Sequence, residues 1–92
     1  MHEAGLAQQV IDACTRELQV HGGRQATRVG LRIGALTAVD PEALRFCFDA
    51  LKHGTPLESA LLQIDWLPAT QSFEDATALD IRYLEFDTES AA

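Results

Sequence analysis

The segment TRVGLRIG, residues 27–34, alternates Thr27, Val29, Leu31 and Ile33 with Arg28, Gly30 and Arg32. A period of two makes a strand with one apolar and one polar face, and a single strand cannot bury its apolar face alone. The flanking segments must cover it, and both carry the period of a helix. Before it, Leu6, Ala7, Val10, Ile11, Cys14 and Leu18 recur at helical spacing and leave Gln8, Gln9, Asp12, Arg16 and Glu17 to water. HGG at 21–23 ends that helix, because glycine takes the left-handed conformation favoured past a helix C-terminus. After it, DPEALRFCFDALKHG offers Asp40 as N-cap, Pro41 at the first helical position and Glu42 in the first turn. Leu44, Cys47, Phe48 and Leu51 then form the buried stripe, and Gly54 stops the helix.

Two further strands follow. ALLQIDWLP at 60–68 puts Leu62, Ile64 and Trp66 on one face and ends at Pro68. LDIRYLEFD at 79–87 changes parity partway, with Leu79, Ile81 and Tyr83 on one alternation and Leu84 and Phe86 on the other, which predicts a bulge or a second covered face. Residues 69–78 between them read as a polar connector. The predicted fold is a single two-layer α+β domain over residues 1–92, two helices packed on a three-stranded sheet in the order αβαββ. The short connector favours antiparallel pairing of the last two strands. So small a sheet leaves edges and one face exposed, which favours partner docking or a homodimer.

Composition narrows the function. The formal net charge is −7, and from Glu74 onward six acids against Arg82 alone carry −5 of it, so a nucleic-acid partner, which needs a concentrated basic patch, is not expected. No stretch approaches the roughly 20 apolar residues of a membrane span, and the first 15 residues lack the pattern of a secretory signal, so a cytoplasmic location is expected. Cys14 and Cys47 sit singly in apolar stripes, as reduced packing thiols do.

The first three residues, MHE, carry the most chemistry. A histidine at position 2 is too bulky for routine removal of the initiating methionine, so the free amine is expected to stay on Met1, next to His2. That amine titrates near about pH 8 and an imidazole near about 6.5, so both offer neutral nitrogen to a metal at modest proton cost. If the amides of His2 and Glu3 also lose their protons, four nitrogens surround the metal in a plane, a geometry that suits Ni(II) or Cu(II) rather than Zn(II), Mg(II) or Ca(II). The Glu3 carboxylate can add an out-of-plane oxygen, hydrogen-bond to the imidazole, or supply charge alone. Taken alone the tripeptide reads as a solvated terminus leading into a helix, since any terminus can carry a histidine by chance.

MHE, the amphipathic helix, HGG, VGLRIGAL, VDPEALRFCFDAL and HGT, in that order, resemble the hydrogenase nickel-incorporation metallochaperones of the HypA/HybF family. The similarity runs from Met1 to about Pro68 and resumes at LDIRYLEFD. It implies a nickel carrier with no catalysis of its own, acting with a maturation GTPase on the large subunit of nickel–iron hydrogenase. By that resemblance Met1 through its amine, His2 and Glu3 form the nickel site, with Asp40 as a candidate auxiliary ligand. Family members insert a zinc domain with two C-x-x-C pairs between the last two strands. This sequence has no such pair, so no four-cysteine zinc site is expected. The chain is then either a natural zinc-less relative or a longer protein from which that domain has been removed. An interaction module that keeps the fold without productive nickel delivery is the alternative function.

The remaining candidates have structural readings. His21 and His53 lie at helix C-termini, where an imidazolium suits the dipole. Arg28 and Arg32 share a strand face, for solvent or ion pairs. Trp66, Tyr83 and Phe86 read as sheet packing. HGG and RIG lack the following Lys-Ser/Thr of a phosphate loop, and no nucleophile, base and orienting acid stand together in local spacing.

Overall fold

A computed structural model describes residues 2–70 and 72–88. The elements run α1 (Glu3–Val20), β1 (Gly23–Gly34), a 3-10 turn (Ala35–Thr37), α2 (Pro41–Leu51), β2 (Leu61–Leu67), α3 (Phe73–Ala76) and β3 (Leu79–Thr88). Both long helices end as their glycines require: Gly22 follows α1 with φ +69° and Gly54 follows α2 with φ +75°. The core joins Ile11, Cys14 and Leu18 of α1, Val29, Leu31 and Ile33 of β1, and Leu44 and Phe48 of α2, all buried. Those β1 residues share one strand face, so both helices cover the same side of the sheet, as a two-layer α+β domain requires.

The sheet differs from expectation in its order. The last two strands do not pair with each other; the order is β2-β1-β3, with β1 parallel to β2 and antiparallel to β3. The reason is α2, since a helix between two strands is the crossover that makes them parallel neighbours. That takes one edge of β1 and leaves the other for β3. The connector, expected as polar loop, holds a one-turn helix. The Ser72 hydroxyl caps α3 by accepting from the Asp75 N–H at 3.2 Å, and Ala76 is buried against the end of β1. A Cβ at Gly34 would stand 2.1 Å from the Ala76 carbonyl, so only glycine admits this contact. The Gly34 N–H also donates to the Ala78 carbonyl at 2.8 Å.

The parity change in β3 is a bulge. Gly30 pairs with Tyr83 and Leu31 with Ile81, leaving Arg82 as the extra residue. Leu79, Ile81 and Leu84 therefore lie opposite Ile33, Leu31 and Val29 on the helix side, whereas Tyr83 crosses to the open face. There its ring lies over Gly30 and its hydroxyl donates to Gln63 Oε1 at 2.9 Å.

The open face carries the ion pairs. Arg32 donates to both oxygens of Asp80, at 3.2 and 2.8 Å, and Arg28 stands 3.9 Å from Glu85. Asp80 holds the Arg32 guanidinium above its ordinary value, through its hydrogen bonds and then its charge. The outer strand β2 is clasped from α2, where the Arg45 guanidinium donates to the Leu62 carbonyl and Lys52 Nζ to the Ala60 carbonyl at 3.0 Å. Among the described residues no helix is long and apolar enough to cross a membrane.

Candidate metal site at the first helix start

Met1, the first of the expected nickel ligands, lies outside the described residues. His2 is the N-cap residue of α1 and its side chain is exposed. Its carbonyl accepts from the Leu6 N–H at 3.0 Å, which ties it into the first helical turn. No side-chain cap hydrogen bond is made at this start. The first N–H groups of a helix have no intrahelical acceptor, so the amides of residues 2 and 3 lie outside the helical ladder.

Glu3 also holds the fold together. It is 9% exposed, and its Oε2 accepts from the Asp40 N–H at 3.0 Å, tying the start of α1 to the start of α2. That backbone hydrogen bond, ahead of opposing desolvation, holds the Glu3 carboxyl below the ordinary carboxylate value. Asp40 in turn caps its own helix, with Oδ1 accepting from Glu42 N–H at 3.0 Å and Ala43 N–H at 3.4 Å.

The approach to Asp40 is built to present that N–H. Thr37 Oγ1 donates to the Gly34 carbonyl at 2.8 Å and accepts from the Val39 N–H at 3.3 Å. Between them Ala38 adopts φ +62°, a left-handed conformation that costs a non-glycine residue about 1–3 kcal/mol and that surrounding structure must hold. Val39 is buried, so the loop is anchored on both sides of the turn. Glu3 and Asp40 lie 37 residues apart, and no local spacing announces their contact.

The other candidates take structural roles. His21 caps α1 at its C-terminus, lies 3.2 Å from Glu17 and stacks on Phe86. His53 stands 3.7 Å from Glu58. Both cysteines are free; Cys14 is 1% exposed, and burial, with the Glu17 charge adding to it, pushes its thiol up to about 11. Cys47 packs half-buried against the core. Trp66 is 43% exposed on β2. Among the described residues no three His, Cys, Asp or Glu side chains gather to hold a metal.

Comparison with known proteins adds three findings. Residues 1–78 match the family model described as "Hydrogenase/urease nickel incorporation, metallochaperone, hypA". A protein of Geotalea daltonii called hydrogenase maturation factor HypA is 49% identical over 70 residues, covering 76% of this chain and 61% of its own. One of the same name from Methanopyrus kandleri is 34% identical over 101 aligned positions, covering 91% of this chain and 71% of its own. Those positions outnumber the 92 residues here, so that relative carries residues this chain does not. The chain spans about three fifths of the length of the Geotalea protein and of a similar one from Chlorobium limicola. The solution structure of the nickel metallochaperone HypA from Helicobacter pylori superposes with TM-score 0.80 at 15% identity, over 97% of this chain and 100% of its own, a likeness of fold.

Proposed function

This chain belongs to the HypA family of hydrogenase/urease nickel-incorporation metallochaperones, and from that premise we propose that it carries one nickel ion at its amino terminus for the maturation of nickel–iron hydrogenase. The observation that supports the reading is the start of α1, where His2 is the N-cap residue with an exposed side chain that makes no cap hydrogen bond. The Met1 amine, the amides of His2 and Glu3 and the His2 imidazole then supply four nitrogens, a donor set suited to Ni(II). Glu3 acts through its hold on the Asp40 N–H, which fixes the backbone from which the chelating nitrogens project. Asp40, whose Oδ1 caps α2, is the auxiliary candidate beside this donor set.

On this reading the cargo is nickel, and the protein performs no catalysis of its own. Residues 1–92 form one nickel-binding domain, with 69–78 as the connector where the family resemblance places a zinc domain; this sequence has no C-x-x-C pair. The carrier works in the cytoplasm with a maturation GTPase and the hydrogenase large subunit.

Nickel titration of the protein with its authentic Met1 terminus tests the proposal. The absorption bands of planar nitrogen coordination are expected, and they should disappear in His2→Ala. A Gly-Ser extension ahead of Met1 should weaken binding as well, because it takes the amine out of chelation range. Equal affinity in all three proteins would refute the terminal site.

A further inference from the structure

The turn that joins β1 to α2 carries a backbone conformation that its own residues do not favour. Among the described residues Ala38 is the one non-glycine with positive φ, at +62°. A Cβ makes the left-handed region costly, so a neighbour must hold Ala38 there. That neighbour is Thr37. A hydroxyl has one hydrogen to give and lone pairs to accept with, and Thr37 uses both, donating to the Gly34 carbonyl behind it and accepting from the Val39 N–H ahead. The two bonds close the turn around Ala38.

The turn then meets the start of α1 at two points. Val39, turned inward and buried, lines a depression whose walls also hold His2, Leu6 and Leu79. Asp40, the next residue, aims its N–H at Glu3 Oε2. On its other side the turn is founded on the sheet, because Gly34 ends β1, its N–H donates to the Ala78 carbonyl, and α3 packs beside the turn. Thr37 is thus the link between a fixed strand end and the residues behind the terminal amine. Were Ala38 to relax to the right-handed region, the peptide planes after it would rotate and carry the Asp40 N–H off its line to Glu3.

We propose that Thr37 is a positioning residue for nickel: its hydroxyl holds the left-handed turn at Ala38, which sets the Asp40 N–H on Glu3 and so fixes the backbone of the chelating residues. The inference rests on the nickel-carrier reading above and adds to it a residue that touches no metal. Planar coordination demands that the amides of residues 2 and 3 lie in one plane with the imidazole, so a loosened Glu3 costs affinity even with every donor present.

The test uses the full chain with its authentic Met1 terminus and nickel(II) alone as probe. Its readouts are nickel affinity, the absorption bands of planar nitrogen coordination, and hydrogen exchange at the Asp40 amide. Thr37→Val keeps the size and branching but loses the hydroxyl; it should weaken nickel binding about tenfold and speed Asp40 exchange by a similar factor. Thr37→Ser keeps the hydroxyl and should bind as the wild type does. Ala38→Val opposes the left-handed conformation without touching the hydroxyl, and should reproduce the loss. Thr37 is half-buried and Ala38 exposed, so neither substitution cuts the core. Leu57→Val, a core change near the opposite end of β1, where the Pro56 carbonyl accepts from the Ala26 N–H, should lower Tm yet leave nickel affinity and bands as they are.

Wild-type affinity and bands in both Thr37→Val and Ala38→Val would overturn the proposal. So would an equal loss in Thr37→Ser, because the hydroxyl would not be the agent, or in Leu57→Val, because stability alone would explain it. Nickel binding that His2→Ala abolishes and Thr37→Val leaves untouched refutes the positioning role alone. A wild-type chain that takes up no nickel refutes the carrier reading, and the proposal falls with it.

Discussion

At the start of α2 the Asp40 carboxylate accepts from two backbone N–H groups of its own helix, and Glu3 reaches across from α1 to accept from Asp40's N–H. At the start of α1 the N-cap residue is an exposed histidine whose side chain makes no cap hydrogen bond. The two starts are joined by one carboxylate, yet one is closed and the other open. On the proposed reading the closed start holds the fold and positions the open one, which takes the metal.

The largest effect expected of this contrast is on metal. His2→Ala should lower nickel affinity more than about 100-fold, beyond the range typical of outer-shell changes, whereas Asp40→Ala should stay within about tenfold. Isothermal titration on both variants measures it, and a loss in Asp40→Ala equal to that in His2→Ala would make the α2 start a ligand site too. Stability should show the reverse. Asp40→Ala removes a cap and should cost about 1 kcal/mol, a fall in Tm of about 4–8 °C for a domain of this size.

Next in size is a pH effect. The Glu3 carboxyl is held below its ordinary value in the folded chain, so unfolded chains bind more protons in that window, and the clasp stabilises the fold above the ordinary carboxylate value. That contribution is lost as pH falls through the lowered folded value. Thermal melts from pH 7 down to about 3 should therefore decline less steeply in Glu3→Gln than in the wild type. The smallest effect is that of His2→Ala on stability, within about 0.5 kcal/mol, because the exposed imidazole caps nothing. A Tm drop like that of Asp40→Ala would mean that the first helix start is not open.

Much of this was legible in periodicity. The alternation in β1 and the helical stripes on either side marked the elements and the buried face, and the parity change in β3 left a bulge or a second covered face, of which the structure has the bulge, at Arg82. Strand order was not legible from the connector, because pairing follows the crossovers; the informative segment was α2, lying between two strands that it makes parallel. The spacing of Ser72 and Asp75 carried the cap of α3, but four residues are too short for a helical period to show. The clasp of Glu3 on Asp40 had no signal at all, since it depends on two helix starts meeting in space. His2 was singled out by its place behind the terminal amine and by the motifs that follow, not by any cluster of side chains.

Gly34 has a further consequence for how such a chain can grow. By seating Ala76 against bare backbone it fixes where the crossing chain must land before entering β3. Upstream of that landing, residues 68–70 are exposed. Extra length admitted there adds only about 0.6 kcal/mol of closure entropy for each doubling of the loop. A loop lengthened at the crossing would leave Ala76 seated on Gly34, and both helix starts where they are.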